Sequence, residues 1–419
     1  MNYKKIDKQY YNLHMIQTDA FKTINVSINF KRKINKEEIS FRNFLGNILV
    51  NSSFNYKTKK ELEIQTEELY NIKINCNCYN SGNYHILSFN QRFLNEKYTE
   101  AGMNKKSIEF LKEIVFNPNI ENNEFLKESF NLTQRFVVEQ QELIKEDPVL
   151  YARVRMLEEM EPNSVVSLRP FGYIEDSLKI NKKNLYDFYL KMLEEDIVDI
   201  YVIGDFDLDE MEQLLNVNIN TVKEKSITHF VNIYEKKDHA RILKESSDIN
   251  QSKLDIGFRV EELSLFESQY VINVVSSILG SGGDSKLFKI VREENSLCYH
   301  ISSSVSALYH LFEIRSGIDG ENFDKTFELI KEQIVSMKKG EFTDEDINKA
   351  KLTYISAVEE LTDSPSAIIQ NYISHEYLGY DLLDARIDNI NKVTKEMIVE
   401  TVNKIHLDTI FLLEGSKNG

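Results

Sequence analysis

The sequence has no tryptophan, five prolines and three cysteines in 419 residues. Three cysteines, Cys76, Cys78 and Cys298, leave no even framework of disulfides, so the sequence reads as that of a protein from a reducing, cytoplasmic setting. Cys76 and Cys78 stand two apart, on one face of an expected strand. As a metal pair they would need two more soft ligands, and none lies near them in sequence. No stretch approaches the roughly 20 apolar residues of a membrane span. Met1 to Met15 mixes Lys, Asp, Tyr and Asn and holds no apolar core of signal-peptide length. Positive charge is also in deficit. The net charge of −16 repels phosphate backbones and argues against nucleic acid as a partner; it favours solubility and tolerates basic peptides.

What is present is a repeat. The chain is too long for one compact core and suits two domains of about 200 residues. The apolar strand pattern Ile24–Phe30 has a counterpart in Leu254–Val260. A mostly apolar helix follows each, Phe41–Asn51 and Gln269–Leu279, then a second, Lys59–Tyr70 and Ser285–Glu294. Two alternating strands come next in each half, the second carrying Tyr84-His85-Ile-Leu and Tyr309-His310-Leu-Phe. Amphipathic helices follow at Lys105–Phe116 and Phe323–Met337. Long helical stretches then reach Asp147-Pro148 and Ser364-Pro365, where Pro suits the first turn of a new helix. Apolar strands close the halves at Ile200–Gly204 and Ile410–Gly415.

Residues 216–249 are rich in Lys, Glu and Asp and read as a connector, with a possible short strand at Phe230–Ile233. The expected organisation is a first domain over 1–212, a connector over 213–250 and a second domain over 251–419. Each domain is α+β, a mostly antiparallel sheet with helices packed on one face, and the two copies are expected to form a cleft.

This order of elements, duplicated over nearly the whole chain, resembles the M16 (insulinase and mitochondrial processing peptidase-like) metallopeptidases. Active members of that family carry His-x-x-Glu-His on the first long helix. Two His four apart share a helix face and bind zinc, the Glu between them acts as general base, and a Glu from a later helix completes the metal site. Here the helix reads Asn47-Ile-Leu-Val50-Asn51, which puts Asn in both His slots and Val50 in the base slot. The distal Glu slot falls near Gln140. Neutral amides are poor zinc ligands and Val moves no proton. No two of the eight His are four apart, so a helical His pair is missing in any register, and no metal is expected on this chain.

The second half keeps what the first has lost. Gly280-Ser-Gly282-Gly283 leads into an expected helix starting near Asp284, with Arg292 near its end; Tyr299, after six intervening residues, opens a strand. The resemblance implies that this Arg and Tyr hold the substrate backbone and the carbonyl under attack, and that Gly282 and Gly283 form a substrate-touching loop. Arg supplies a rigid donor fork and Tyr a neutral donor for an oxyanion. The ordinary alternative is a surface Arg, a packed Tyr and a tight turn. In the first repeat the same slots fall at about Glu67 and Ile74. The Gly run lacks a following Gly-Lys-Ser/Thr and is no nucleotide loop; Ser281 and Ser285 lack a His and Asp arrangement for serine hydrolysis.

The resemblance therefore implies a substrate-binding subunit without zinc. Its expected partner is a His-x-x-Glu-His homologue that holds the zinc in a heterodimer, or a second copy of itself when isolated. A peptide is the expected substrate. The rival expectations are an inert scaffold, a peptide-binding homodimer that cuts nothing, and an enzyme using another metal.

Overall fold

The computed structural model describes residues 1–162, 164–217, 219 and 240–416. They fall into two compact units. The first gathers the described residues within Met1–Leu143, Arg169–His229 and Pro365–Gln370; the second, those within Ile144–Leu168, Phe230–Ser364 and Asn371–Gly419. The possible strand at Phe230–Ile233 lies outside the described residues.

In chain order the first half contains strands β1 (Asn2–Asp7), β2 (Asn12–Gln17) and β3 (Thr23–Lys33), then helices α1 (Lys36–Leu49) and α2 (Lys59–Glu68). Strands β4 (Lys73–Ser81) and β5 (Tyr84–Leu94), helix α3 (Met103–Phe116) and the two-residue strands β6 (Ile120–Glu121) and β7 (Glu124–Phe125) follow. Helices α4 (Lys127–Glu146), α5 (Pro148–Met160), α6 (Ile174–Ser177) and α7 (Lys182–Glu195) lead to strand β8 (Ile197–Gly204) and helix α8 (Leu208–Leu214). The second half runs β9 (Arg241–Ser247), β10 (Ser252–Val260), α9 (Ile272–Gly280), β11 (Cys298–Ser306) and β12 (Leu311–Ile318). It ends with α10 (Phe323–Lys338), α11 (Asp344–Leu361), α12 (Pro365–Leu378), α13 (Leu383–Ile390), α14 (Lys395–Asn403) and β13 (Ile405–Gly415).

The two large sheets share one strand order. The first is β1-β2-β8-β3-β5-β4 and the second β11-β12-β10-β13-β9. Read from the opposite end, β4-β5-β3-β8-β2 maps onto β11-β12-β10-β13-β9. In both, the closing strand pairs antiparallel with the central strand and parallel with a short early one, β8 with β2 and β13 with β9. The duplication read from the sequence is thus a duplication of topology, and the fold is the expected α+β one. Alternation explains each sheet: Ile24, Val26, Ile28 and Phe30 point into the first core, and Leu254, Ile256, Phe258 and Val260 into the second. Some boundaries move. Tyr309 and His310 form a tight 3₁₀ turn, with His310 left-handed at φ 51°, so β12 begins only at Leu311.

Helix α5 is assigned to the second unit, where it covers the face of the sheet turned away from the main core. Met156 and Met160 lie over Gly257, where a Cβ would sit 2.7 Å from each sulfur, so glycine is needed there for the close approach. Arg153 adds a forked bond to Glu313, at 2.8 and 3.0 Å. Beneath it, burial pushes the Asp255 carboxyl up to about 7, with Glu313 adding to the rise and Arg315 and Arg153 opposing it.

Candidate functional site

Helix α1 is held at its start by Asn35, whose side chain accepts from the Glu37 backbone N–H at 3.1 Å, with Glu37 and Glu38 in the first turn. Arg42 fixes its body. The buried guanidinium donates to Asp196 at 2.6 Å, to the Phe30 carbonyl at 2.7 Å and to His85 Nδ1 at 3.0 Å. His85 Nε2 in turn meets the Pro170 carbonyl at 2.9 Å, which sets the ring as a neutral tautomer. Burial first, and then the Arg42 charge, push the His85 pKa down to about 3. His85 is therefore a satisfied core residue. The face of α1 toward the sheet is closed as well: a Cβ on Gly46 would stand 2.3 Å from Cys76 Sγ.

The other face carries the degenerate zinc slots. Asn51 Nδ2 donates to the Asn47 carbonyl at 2.8 Å. Asn47 Nδ2 donates to the Asn43 carbonyl at 2.8 Å and to its Oδ1 at 3.1 Å. Asn43 Nδ2 donates to the Phe171 carbonyl at 3.0 Å and to Gln140 Oε1 at 3.3 Å. Three amides at four-residue spacing thus form a ladder along the helix, with Gln140 of α4 at its upper end. Gln140 meets Asn43, one turn before Asn47. Asn43 was not singled out from the sequence, though its spacing from Asn47 was a visible signal.

Val50 caps the helix and packs half-buried against the core. Whether the motif is laid on Asn47-Val50-Asn51 or one turn earlier on Asn43-Gly46-Asn47, the base slot faces the interior and holds no carboxylate. These residues do not fit zinc. Their neutral amide oxygens are poor zinc ligands, and imidazole, thiolate and carboxylate are missing from the slots. Among the described residues no group of three or more His, Cys, Asp or Glu could hold a metal ion.

The second unit places the retained residues on irregular backbone. After α9, Gly282 adopts φ 106° and Ser285 Oγ donates to its carbonyl at 2.8 Å. The helix starts at Lys286, just beyond the sequence expectation, and from Phe288 to Glu294 it is a π-helix. Leu287 and Val291 are fully buried, which leaves Arg292 exposed on the turn between them and the strand. Its guanidinium stacks over the Phe288 ring, 4.5 Å from the centroid. Phe288 escaped the sequence reading, although an aromatic four residues before the Arg was there to be seen.

The π-helix packs against β11, the edge strand. There the ladder slips: Cys298 pairs with Ile318 but His300 with Gly317. Tyr299 is the extra residue of a β-bulge, and its side chain is 77% exposed. Burial pushes the neighbouring Cys298 thiol up, while a bond with Ser316 and the Arg292 charge oppose the shift.

Comparison with known proteins finds M16 peptidase homologues. A family model described as "Peptidase M16 inactive domain" matches residues 179–354. The chain is 26% identical over 408 residues to the "Probable inactive metalloprotease YmfF" of Bacillus subtilis (strain 168), covering 96% of both chains. The chain is thus similar to M16 peptidase homologues over nearly its whole length. Among solved structures, the chain superposes on a conserved protein from Enterococcus faecalis V583 with a TM-score of 0.92, 26% identity and full coverage of both chains. It also matches a "peptidase M16 inactive domain" from Pseudomonas fluorescens with a TM-score of 0.79, 15% identity and 99% coverage of both, a likeness of fold. No helix of the described residues is long and apolar enough to cross a membrane.

Proposed function

We propose that this chain is the substrate-binding, non-catalytic subunit of a heterodimeric, cytoplasmic M16-type zinc peptidase. The partner is an M16 homologue with an intact His-x-x-Glu-His, which supplies zinc and general base. Arg292 grips the peptide backbone through its donor fork, and Tyr299 donates to the oxygen that gains charge in the transition state. The peptide lies extended along the β11 edge, where unpaired backbone groups offer strand addition.

One observation carries this reading. The Arg292 and Tyr299 slots are irregular and exposed, whereas their counterparts Glu67 and Ile74 sit in a regular helix and a regular ladder. A π-turn and a bulge both weaken local hydrogen bonding and recur at functional sites. The topology does not require them, because the first repeat does without.

The test is zinc content and peptide cleavage by the purified chain, alone and mixed with the His-x-x-Glu-His homologue. The reading expects a chain that is zinc-free and inert alone and a mixture that cuts. A mixture no better than the partner by itself would favour an inert scaffold instead.

A further inference from the structure

A second recognition feature lies in the first unit, away from the amide ladder. A cleft of about 330 Å³ opens between α2 and α3, closed at its base by the loop after α1. Its floor is apolar: Phe110 and Leu69 are buried there, and Tyr56 meets Phe110 edge to face, with centroids 5.5 Å apart at 83°. Its wall is acidic. Glu113 accepts from the Asn55 backbone N–H at 2.8 Å, from Asn55 Nδ2 at 2.9 Å and from Asn117 Nδ2 at 2.7 Å. All three donors are neutral, and no cation pairs with Glu113 among the described residues. One turn before it, Glu109 makes a 3.8 Å contact with Lys105, both side chains being largely exposed, and feels the charge of Lys112 without bonding it. Lys106 stands on the rim and forms no ion pair with either carboxylate among the described residues.

A carboxylate fixed by neutral donors keeps its full charge, and beside an aromatic floor that charge attracts a cation with an apolar stem. The Tyr56 phenol registers the same field: after burial, Glu113 and Glu68 push its pKa up. A net charge of −16 brings basic peptides toward the whole surface, and the cleft gives them a place to bind.

We propose that this cleft binds the long cationic side chain, arginine or lysine, of a peptide. The methylene stem lies on Phe110 and Leu69, and the cationic head sits between the Tyr56 ring and the Glu109 and Glu113 carboxylates. This site stands independently of the role assigned to Arg292 and Tyr299.

Ligand-observed NMR on the full chain tests it, with the blocked tripeptides Gly-Arg-Gly, Gly-Lys-Gly and Gly-citrulline-Gly as probes. The two cationic peptides should bind at least tenfold more tightly than the citrulline one. Glu109→Gln should weaken the Arg peptide several-fold, and Lys106→Gln, which removes the rim cation, should tighten it. Both positions are on the helix surface, so the fold is untouched. Equal binding of the citrulline peptide would overturn the site. So would an equal loss on Glu332→Gln, a carboxylate of the second unit, which would assign the binding to the general field of the protein. A Lys106→Gln variant that binds no better than the parent would also refute it.

Discussion

The same two slots of one duplicated fold are built differently in its two halves. Glu67 lies on α2, an ordinary helix closed by a capping box between Thr58 and Glu61, and Ile74 packs half-buried in an unbroken β4–β5 ladder. Arg292 lies on a π-helix, and Tyr299 stands out of a bulge on the edge strand. The zinc slots contrast in the opposite sense. Where a metal site needs ligands left open, α1 has spent its amides on itself, and its Gly46 and Val50 face inward. At these slots the first half is regular, self-satisfied structure, whereas the second half is irregular.

The largest expected effect comes from breaking the anchor of α1. Arg42→Ala leaves the buried Asp196 with Arg32 alone and frees the Phe30 carbonyl and His85, and should cost about 3 kcal/mol in chemical unfolding. A cost below ~1 kcal/mol would mean that the helix is not locked as described.

Asp255 should respond in the opposite direction. The folded carboxyl keeps its proton up to about pH 7, whereas the unfolded chain releases it near 4. Its contribution to stability is therefore full at acid pH and lost as pH rises from about 4 to 7. Asp255→Asn should gain about 4 kcal/mol at pH 8 and nothing at pH 4, as read from urea midpoints at the two pH values. The same gain at both would assign the effect to packing.

The Gly pair sharpens the comparison at smaller amplitude. Gly282 has φ 106°, so Gly282→Ala should cost about 1 kcal/mol. At Gly283 φ is ordinary and an added Cβ would touch nothing within 4 Å. Gly283→Ala should leave stability within ~0.5 kcal/mol while lowering peptide turnover by the assembled pair. Unaltered turnover would reduce this turn to a helix entry. The smallest effect on turnover belongs to the amide ladder: Asn47→Ala should cost about 1 kcal/mol of stability and leave turnover unchanged.

Much of this was legible in advance because apolar alternation and helical spacing repeat from one half to the other. The central strands, α1 and the closing strands were all visible that way. In the two large sheets the strands missed were β1, β2 and β9. Strand β9, Arg-Ile-Leu-Lys-Glu-Ser-Ser, is charged because it is an edge with one face in solvent, and it was read as connector. Strand β2 is buried on both faces and shows no alternation. At the site, residue identities were legible and their backbone was not. A π-turn and a bulge depend on hydrogen-bond register, which leaves no compositional trace. The exchange of Gln140 from Asn47 to Asn43 is likewise a matter of how α4 lies on α1.

The most direct test of the account is Tyr299→Phe, assayed for peptide cleavage in the mixture with the zinc-bearing homologue while assembly is followed by sedimentation. The substitution removes one hydroxyl from a 77% exposed side chain, so folding and assembly should hold. The account predicts a fall in turnover on the order of 100-fold with unchanged assembly. Unchanged turnover in an intact complex would contradict it and leave this chain a scaffold.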